Sequence, residues 1–192
     1  KVHLTLLQGS PREIADLLVS GQADVGIATE TVDKVPELAS FPFYSWHHAV
    51  IVPHGHPLIT AGEITLETLS EYPIITYHEG FTGRAHVDKA FADAGIVPDI
   101  VLSAIDADVI KTYVGLGLGV GVVASVAYDA EQDRSLTLIP VPSLFPANTT
   151  RLAVRRGTYL RSYAHAFIEK VCPDVGEEAI KAAIKQQNGN DL

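Results

Sequence analysis

The spacing of apolar residues changes several times along the chain between a period of two and a period near 3.6, which predicts alternating strands and helices. Residues 2–7 alternate like a strand. The following Ser10, Pro11 and Glu13 predict a helix start, with an N-cap, a first-position proline and a capping-box carboxylate. The short apolar run at residues 23–28 is typical of a buried parallel strand, so these segments together predict one βαβ unit.

The rest of the chain continues this alternation of strand and helix patterns. We expect strands at residues 49–52, 74–76, 100–102, 119–124 and 152–154, and helices at residues 65–69, 83–94, 106–116, 160–171 and 177–185. Strands that alternate with helices of this length indicate an α/β fold.

Two proline-aromatic segments, at residues 41–45 and 141–146, interrupt the pattern. Two such crossings divide the chain into a discontinuous subdomain at residues 1–43 plus 147–192 and an inserted subdomain at residues 44–146. We expect two Rossmann-like subdomains with a cleft between them, because small ligands often bind where two domains meet.

Composition excludes several functional classes. The chain has 192 residues, 47% of them hydrophobic and 19% charged, which is typical of a globular domain. A net charge of −9 leaves no basic surface for phosphate backbones or anionic membranes, so any DNA-binding part must lie elsewhere. The longest apolar or glycine run has 11 residues, against about 20 for a membrane-spanning helix.

No motif predicts catalysis, a cofactor or a metal. The glycines of residues 115–121 follow a helix pattern and precede a strand, which favours a helix C-cap and close packing over a dinucleotide site. His47, His48, His54 and His56 could form a metal site, but neighbours on a strand point to opposite faces, so surface or turn histidines are favoured. No segment combines a nucleophile with a base, so we expect no enzyme.

The candidate binding residues lie where predicted segments end. Thr29 follows a buried strand, and the carboxyl ends of strands are where α/β folds bind ligands. Thr82 and Gly83 lie between a strand and a helix, where backbone N–H groups and the Thr82 hydroxyl can hold a small anion. Trp46, the only tryptophan, lies at the first crossing. Spacing alone leaves open whether the threonines are caps and whether Trp46 packs in a core.

These segments resemble the effector-binding domain of LysR-type transcriptional regulators, and more closely its CysB and Cbl branch. The resemblance runs from residue 1 to about residue 179, and the segments at residues 81–84 and 106–119 are specific to that branch. The residues that carry it are Gln8-Gly9-Ser10-Pro11, Ala28-Thr29-Glu30, Trp46 with His47, Phe81-Thr82-Gly83-Arg84 and the run from Asp106 to Gly119.

The resemblance implies a regulator of sulfur assimilation and cysteine biosynthesis, with a two-subdomain sensor like that of periplasmic binding proteins. It implies a small effector, namely an acetylserine, sulfate, thiosulfate or adenylyl sulfate, and no cofactor. Promoter DNA would be bound by an N-terminal domain, in a cytoplasmic homo-oligomer that is a tetramer at full length and has no membrane association. By position, Thr29 and Thr82 match threonines that bind the anion, and Trp46 matches a tryptophan that lines the pocket.

One departure from the family pattern concerns the N-terminal part of the sensor. The family places a Thr-His-Thr-Gln segment at its first strand and helix, and this chain starts after that unit, so we expect an incomplete first subdomain and binding site. An alternative of another class has the same architecture without DNA: a periplasmic solute-binding protein for a sulfur oxyanion. Fold alone does not decide between the two.

Overall fold

The computed structural model describes residues 2–81, 83–173 and 175–185. The chain forms two compact units, which we describe separately. Unit 1 comprises Lys1–Ser45 and Thr149–Leu192, and unit 2 comprises Trp46–Asn148. Each boundary lies two residues beyond the one expected from the proline-aromatic segments.

The described residues form eight strands and six α-helices. The strands are β1 (Gly26–Ala28), β2 (Leu38–Trp46), β3 (His48–Pro53), β4 (Ile74–Tyr77), β5 (Ile100–Ala104), β6 (Val120–Ala124), β7 (Leu136–Pro140) and β8 (Asn148–Arg155). The helices are α1 (Pro11–Val19), α2 (Leu66–Ser70), α3 (Arg84–Asp93), α4 (Ala107–Gly115), α5 (Ser162–Val171) and α6 (Glu177–Lys185). Within these ranges, no helix has the length and apolar character needed to cross a bilayer.

Unit 1 is built on a three-stranded sheet in the order β1-β8-β2. Strand β1 runs antiparallel to β8, with Gly26 opposite Ala153, so the expectation of a parallel strand at residues 23–28 was wrong. Leu152 and Val154 of β8 pack with Ile168 of α5 and Ile180 of α6 in the core of this unit.

The expected strand at residues 2–7 is absent, so the predicted βαβ unit was wrong. Residues 2–7 form no strand, and Val2, Leu4 and Leu6 are 64%, 69% and 84% exposed. An alternating pattern becomes a strand only when a neighbouring strand supplies hydrogen-bond partners, and no described strand pairs with these residues. The helix start at Ser10 is confirmed, because α1 has the full capping box between Ser10 and Glu13.

Unit 2 contains a five-stranded mixed sheet in the order β5-β4-β6-β3-β7. Strand β4 is parallel to β5 and β6, whereas β3 is antiparallel to β6 and β7. The sheet is buried on both faces. Val50, Val122 and Phe91 belong to one apolar cluster, and Ile51 and Val123 belong to the other.

The glycine-rich run after α4 serves packing, as expected from its position. Gly117 follows the helix at a φ of +80°. A side chain at Gly119 would overlap the Pro73 carbonyl, and one at Gly121 would overlap Ile51. The interpretation of this run as a helix end with close backbone packing is confirmed.

Candidate functional site

The candidate site lies at the N-terminus of α3, in unit 2. This helix follows the carboxyl end of β4, a strand whose two sheet neighbours are parallel to it. Gly83 is the N-cap residue at a φ of +68° and has no side chain with which to cap the helix, and the Arg84 and His86 N–H groups donate to the Phe81 and Gly83 carbonyls. A helix N-terminus without a side-chain acceptor presents backbone N–H groups and a partial positive charge. It is suited to binding an anion.

Two buried polar side chains lie directly against Gly83. A Cβ atom at this position would be 2.6 Å from His48 Cε1 and 2.8 Å from both His48 Nε2 and Asn148 Oδ1. The left-handed backbone and this close approach both require glycine at position 83.

His48 is the more perturbed of the two side chains. It is the first residue of β3, is 1% exposed, and packs edge-on against Trp46 and Phe145 at ring distances of 5.2 and 5.3 Å. Burial, followed by the charges of the neighbouring His86 and His47, lowers the pKa of His48 to about 4. His48 is therefore neutral at physiological pH.

Asn148 approaches His48 from the start of β8. Its side-chain Nδ2 lies 3.4 Å from His48 Nδ1, and the residue is 1% exposed. Two buried atoms of this pair, His48 Nε2 and Asn148 Oδ1, have no hydrogen-bond partner among the described residues. An unsatisfied buried donor or acceptor costs about 1–3 kcal/mol. Both atoms are shielded from solvent, and Gly83 is packed against them.

Arg84 fixes the first turn of α3 to the sheet. Its Nη1 donates to the Tyr77 carbonyl at 2.6 Å and to Ser103 Oγ at 3.3 Å, and its Nε donates to Asp88 at 2.7 Å. Arg84 is 7% exposed. These bonds tie the start of α3 to the carboxyl ends of β4 and β5 and so determine where Gly83 lies.

The structure brings two of the four predicted site residues to the same neighbour. Trp46, which is buried, and Gly83 both contact His48. Thr82 lies outside the described residues. Thr29 belongs to unit 1, is 6% exposed, and precedes a 3₁₀ turn at Glu30–Lys34 without capping it by its side chain. The ligand-binding roles of these residues stay predictions.

From the sequence, His48 was considered only as a possible metal ligand, and Asn148 was not identified. His48 was expected on the surface or in a turn, which is wrong because it is buried, whereas His47 and His54 are exposed as expected. The alternation of Trp46, His48 and Val50 was the available signal, since these residues share one face of an extended chain. Among the described side chains, no group of three His, Cys, Asp or Glu is arranged to hold a metal ion.

Comparisons with known proteins identify the family. The LysR substrate binding domain family model matches residues 1–171. The chain is 53% identical over 186 residues to the HTH-type transcriptional regulator SsuR of Burkholderia cenocepacia, a match that covers 97% of this chain and 60% of that protein. It is 51% identical over 185 residues to CysB of the same organism, covering 96% of this chain and 59% of that protein. The chain thus spans less than two thirds of these relatives' length.

A solved structure agrees with the sequence relatives. The crystal structure of the cofactor-binding domain of the Cbl transcriptional regulator matches with a TM-score of 0.89 and 45% identity, over 94% of this chain and 79% of that chain. This confirms the expected two-subdomain α/β fold. The relatives are named as transcriptional regulators and not as enzymes, in agreement with the sequence analysis. The chain therefore belongs to the family of LysR substrate-binding domains.

Proposed function

We propose that this chain is the effector-sensing domain of a LysR-type transcriptional regulator of sulfur assimilation and cysteine biosynthesis. The observation that carries the proposal is identity above one half, over nearly the whole chain, with SsuR and CysB. The effector is an acetylserine, a sulfate-like anion such as sulfate or thiosulfate, or adenylyl sulfate. The regulator names of the relatives favour this function over that of a periplasmic solute-binding protein.

We place the effector at the N-terminus of α3. The partial positive charge of the helix start attracts an anion, the family resemblance implies that Thr82 binds it, and Trp46 lies next to the buried neighbour of Gly83. With a net charge of −9, the chain as a whole repels anions, so local dipoles have to provide the attraction. The prediction that Thr29 of unit 1 also contacts the effector rests on the family resemblance.

Regulation requires the effector to favour one state of the protein. An effector that binds two conformations of the protein equally tightly does not change the equilibrium between them. Its contacts must therefore differ between the two conformations. We propose that the response is passed to promoter DNA through a DNA-binding domain outside this chain, within a cytoplasmic homo-oligomer that is a tetramer at full length.

Thr82→Ala tests this function. In calorimetric titrations with sulfate, thiosulfate, O-acetylserine, N-acetylserine and adenylyl sulfate, we expect at least one ligand to bind wild type. Thr82→Ala should then weaken its binding about tenfold or more, since a hydrogen bond to a charged group contributes about 1.5–3 kcal/mol.

Thr60→Ala is the matched control, because Thr60 is an exposed threonine that bonds only the Pro57 carbonyl in the turn after β3. Its affinity should equal that of wild type. Unchanged affinity in Thr82→Ala would refute the site, and no binding of any of the five ligands to wild type would refute the effector class.

A further inference from the structure

We propose that the ion pair between Arg84 and Asp88 makes the effector site at the start of α3 selective for ligand charge, with Asp88 lowering the affinity for dianions more than for monoanions. This inference rests on the proposed function and deepens it, because it names the charge of the ligand that the site favours. Asp88 lies outside the predicted site residues and outside the segments that carry the family resemblance.

Arg84 is the cation nearest in sequence to the proposed site. Unit 2 has four Lys and Arg residues against twelve Asp and Glu residues, so its overall field repels anions. Arg84 directly follows the N-cap Gly83 and is buried. Water and salt screen a buried charge less than an exposed one, so the guanidinium adds its attraction for an anion to that of the helix dipole.

Hydrogen bonds hold the Arg84 guanidinium at the first turn of α3. Nη1 donates to the Tyr77 carbonyl and to Ser103 Oγ, which are neutral acceptors that orient the group without cancelling its charge. Nε donates to Asp88 Oδ1 at 2.7 Å. In the part of the chain that the structure describes, Asp88 is the one carboxylate paired with Arg84. The charge of Arg84 is therefore offset by a single residue.

The Asp88 carboxylate lies close to the helix start. Asp88 follows Gly83 by five residues, which is about 7.5 Å along the helix axis at about 1.5 Å per residue. Its side chain reaches back by one turn to Arg84 Nε. This separation is within the Debye length of about 10 Å in 0.1 M salt. Asp88 therefore repels an anion bound at the helix start.

The strength of this repulsion depends on the charge of the ligand. Coulomb energy is proportional to the product of the charges, so a dianion is repelled twice as strongly as a monoanion. The proposed effectors differ in this property. At neutral pH, O-acetylserine is a zwitterion without net charge, N-acetylserine has one carboxylate and no amine, and sulfate is a dianion. Asp88 therefore biases the site against sulfate relative to the two acetylserines.

The experiment removes the charge of Asp88 and keeps its shape. Calorimetry in 0.1 M salt at neutral pH measures the affinities of O-acetylserine, N-acetylserine and sulfate for the full chain, as wild type, Asp88→Asn and Asp93→Asn. An asparagine oxygen can still accept from Arg84 Nε, so the guanidinium keeps its place. Asp93→Asn is the matched control, because Asp93 pairs with Lys89 at the same spacing on the same helix, about 15 Å from its start.

We expect Asp88→Asn to raise the affinity for sulfate about fourfold and that for N-acetylserine about twofold, and to leave that for O-acetylserine within about 1.3-fold. Asp93→Asn should change each affinity by less than about 1.5-fold, because its distance exceeds the Debye length. In about 1 M salt, the gains in Asp88→Asn should fall below about 1.5-fold. Asp88→Glu keeps the charge, so its ratio of sulfate to N-acetylserine affinity should equal that of wild type.

Four outcomes would overturn the charge selectivity. They are an equal change, or none, for all three ligands in Asp88→Asn, which would indicate that Asp88 only positions α3; an equally large effect in Asp93→Asn; a gain that persists in about 1 M salt; and no binding of either anion to wild type or to Asp88→Asn. The proposed function survives each of these if a ligand binds wild type and Thr82→Ala weakens it. If none of the sulfur-pathway effectors binds wild type, the proposed function fails as well.

Discussion

Helices α1 and α3 begin in opposite ways. At α1, the Ser10 N–H donates to the Glu13 carboxylate at 2.7 Å, and Ser10 Oγ accepts from the Glu13 N–H at 3.3 Å. At α3, the N-cap is Gly83, which has no side chain to act as a cap, and two buried polar atoms without a partner among the described residues lie against it.

The two helix starts differ in whether the N-cap side chain and its capping-box partner fill the position that an anion would take. At α1, hydrogen bonds from Ser10 lower the pKa of Glu13, so a carboxylate of the chain already occupies the anion position. At α3, the neighbouring group is a neutral histidine whose pKa is lowered by burial. Of these two helix starts, α3 is the one whose N-cap residue has no side-chain acceptor.

Gly83→Ala should have the largest effect on the start of α3. Alanine at a φ of +68° costs about 1–2 kcal/mol, and overlap with His48 and Asn148 adds about 1–3 kcal/mol. We expect the free energy of unfolding, measured with urea, to fall by about 2–5 kcal/mol, together with a loss of effector binding.

Gly95→Ala is the control for the cost of placing alanine at a positive φ. Gly95 follows the other end of α3 at a φ of +69°, with no atom within 4 Å of its added Cβ. The free energy of unfolding of this variant should fall by about 1–2 kcal/mol, and its affinity for the effector should be unchanged. Equal losses in the two variants would show that the contact with His48 and Asn148 contributes nothing.

Acidification should destabilise the start of α3, because His48 has to become protonated. The folded-state pKa is about 4 and the ordinary value is 6.5, so between these values only the unfolded chain binds this proton. Stability is therefore lost as the pH falls from about 6.5 to 4, by about 3 kcal/mol at about 1.4 kcal/mol per pH unit.

His48→Phe should remove this part of the pH dependence. Urea unfolding at pH 7 and pH 4.5 measures it, with His3→Gln as the control because His3 is exposed and does not contribute to the pKa of His48. A pH dependence in His48→Phe as steep as that of wild type would assign the effect to other groups.

Ser10→Ala tests the capped start of α1. Loss of an N-cap hydroxyl costs about 1 kcal/mol, so the thermal midpoint should fall by a few degrees. Effector affinity should be unchanged, because the Ser10 and Glu13 bonds close this helix end internally. A clear loss of affinity would contradict the distinction between the two helix starts.

Asp88→Asn should have the smallest effect. It removes the ion pair with Arg84, in which Asp88 is 44% exposed and Arg84 8% exposed, and we expect a loss of about 0.5–1 kcal/mol. Asp93→Asn, which breaks the exposed pair with Lys89 on the same helix, should cost less. Equal thermal midpoints for the two variants would show that burial of Arg84 does not strengthen its pair.

Much of the fold could be predicted from local pattern, because helix ends and buried apolar runs have signals within a few residues. The start of α1 and the end of α3 near Gly95 are examples. Strand β2 was missed because Pro42 and its aromatic neighbours suggested a break. A proline is tolerated there since β2 is at the edge of its sheet.

By itself, the sequence determined the α/β alternation, the capping of α1, the need for glycine in tight turns, and the family. Only the tertiary structure decided that His48 and Asn148, 100 residues apart, lie together beneath Gly83. The physical reason is the distance along the sequence between the groups that interact. A cap satisfies N–H groups within its own turn and is visible in sequence, whereas an unpaired buried atom depends on what distant segments do or do not bring to it.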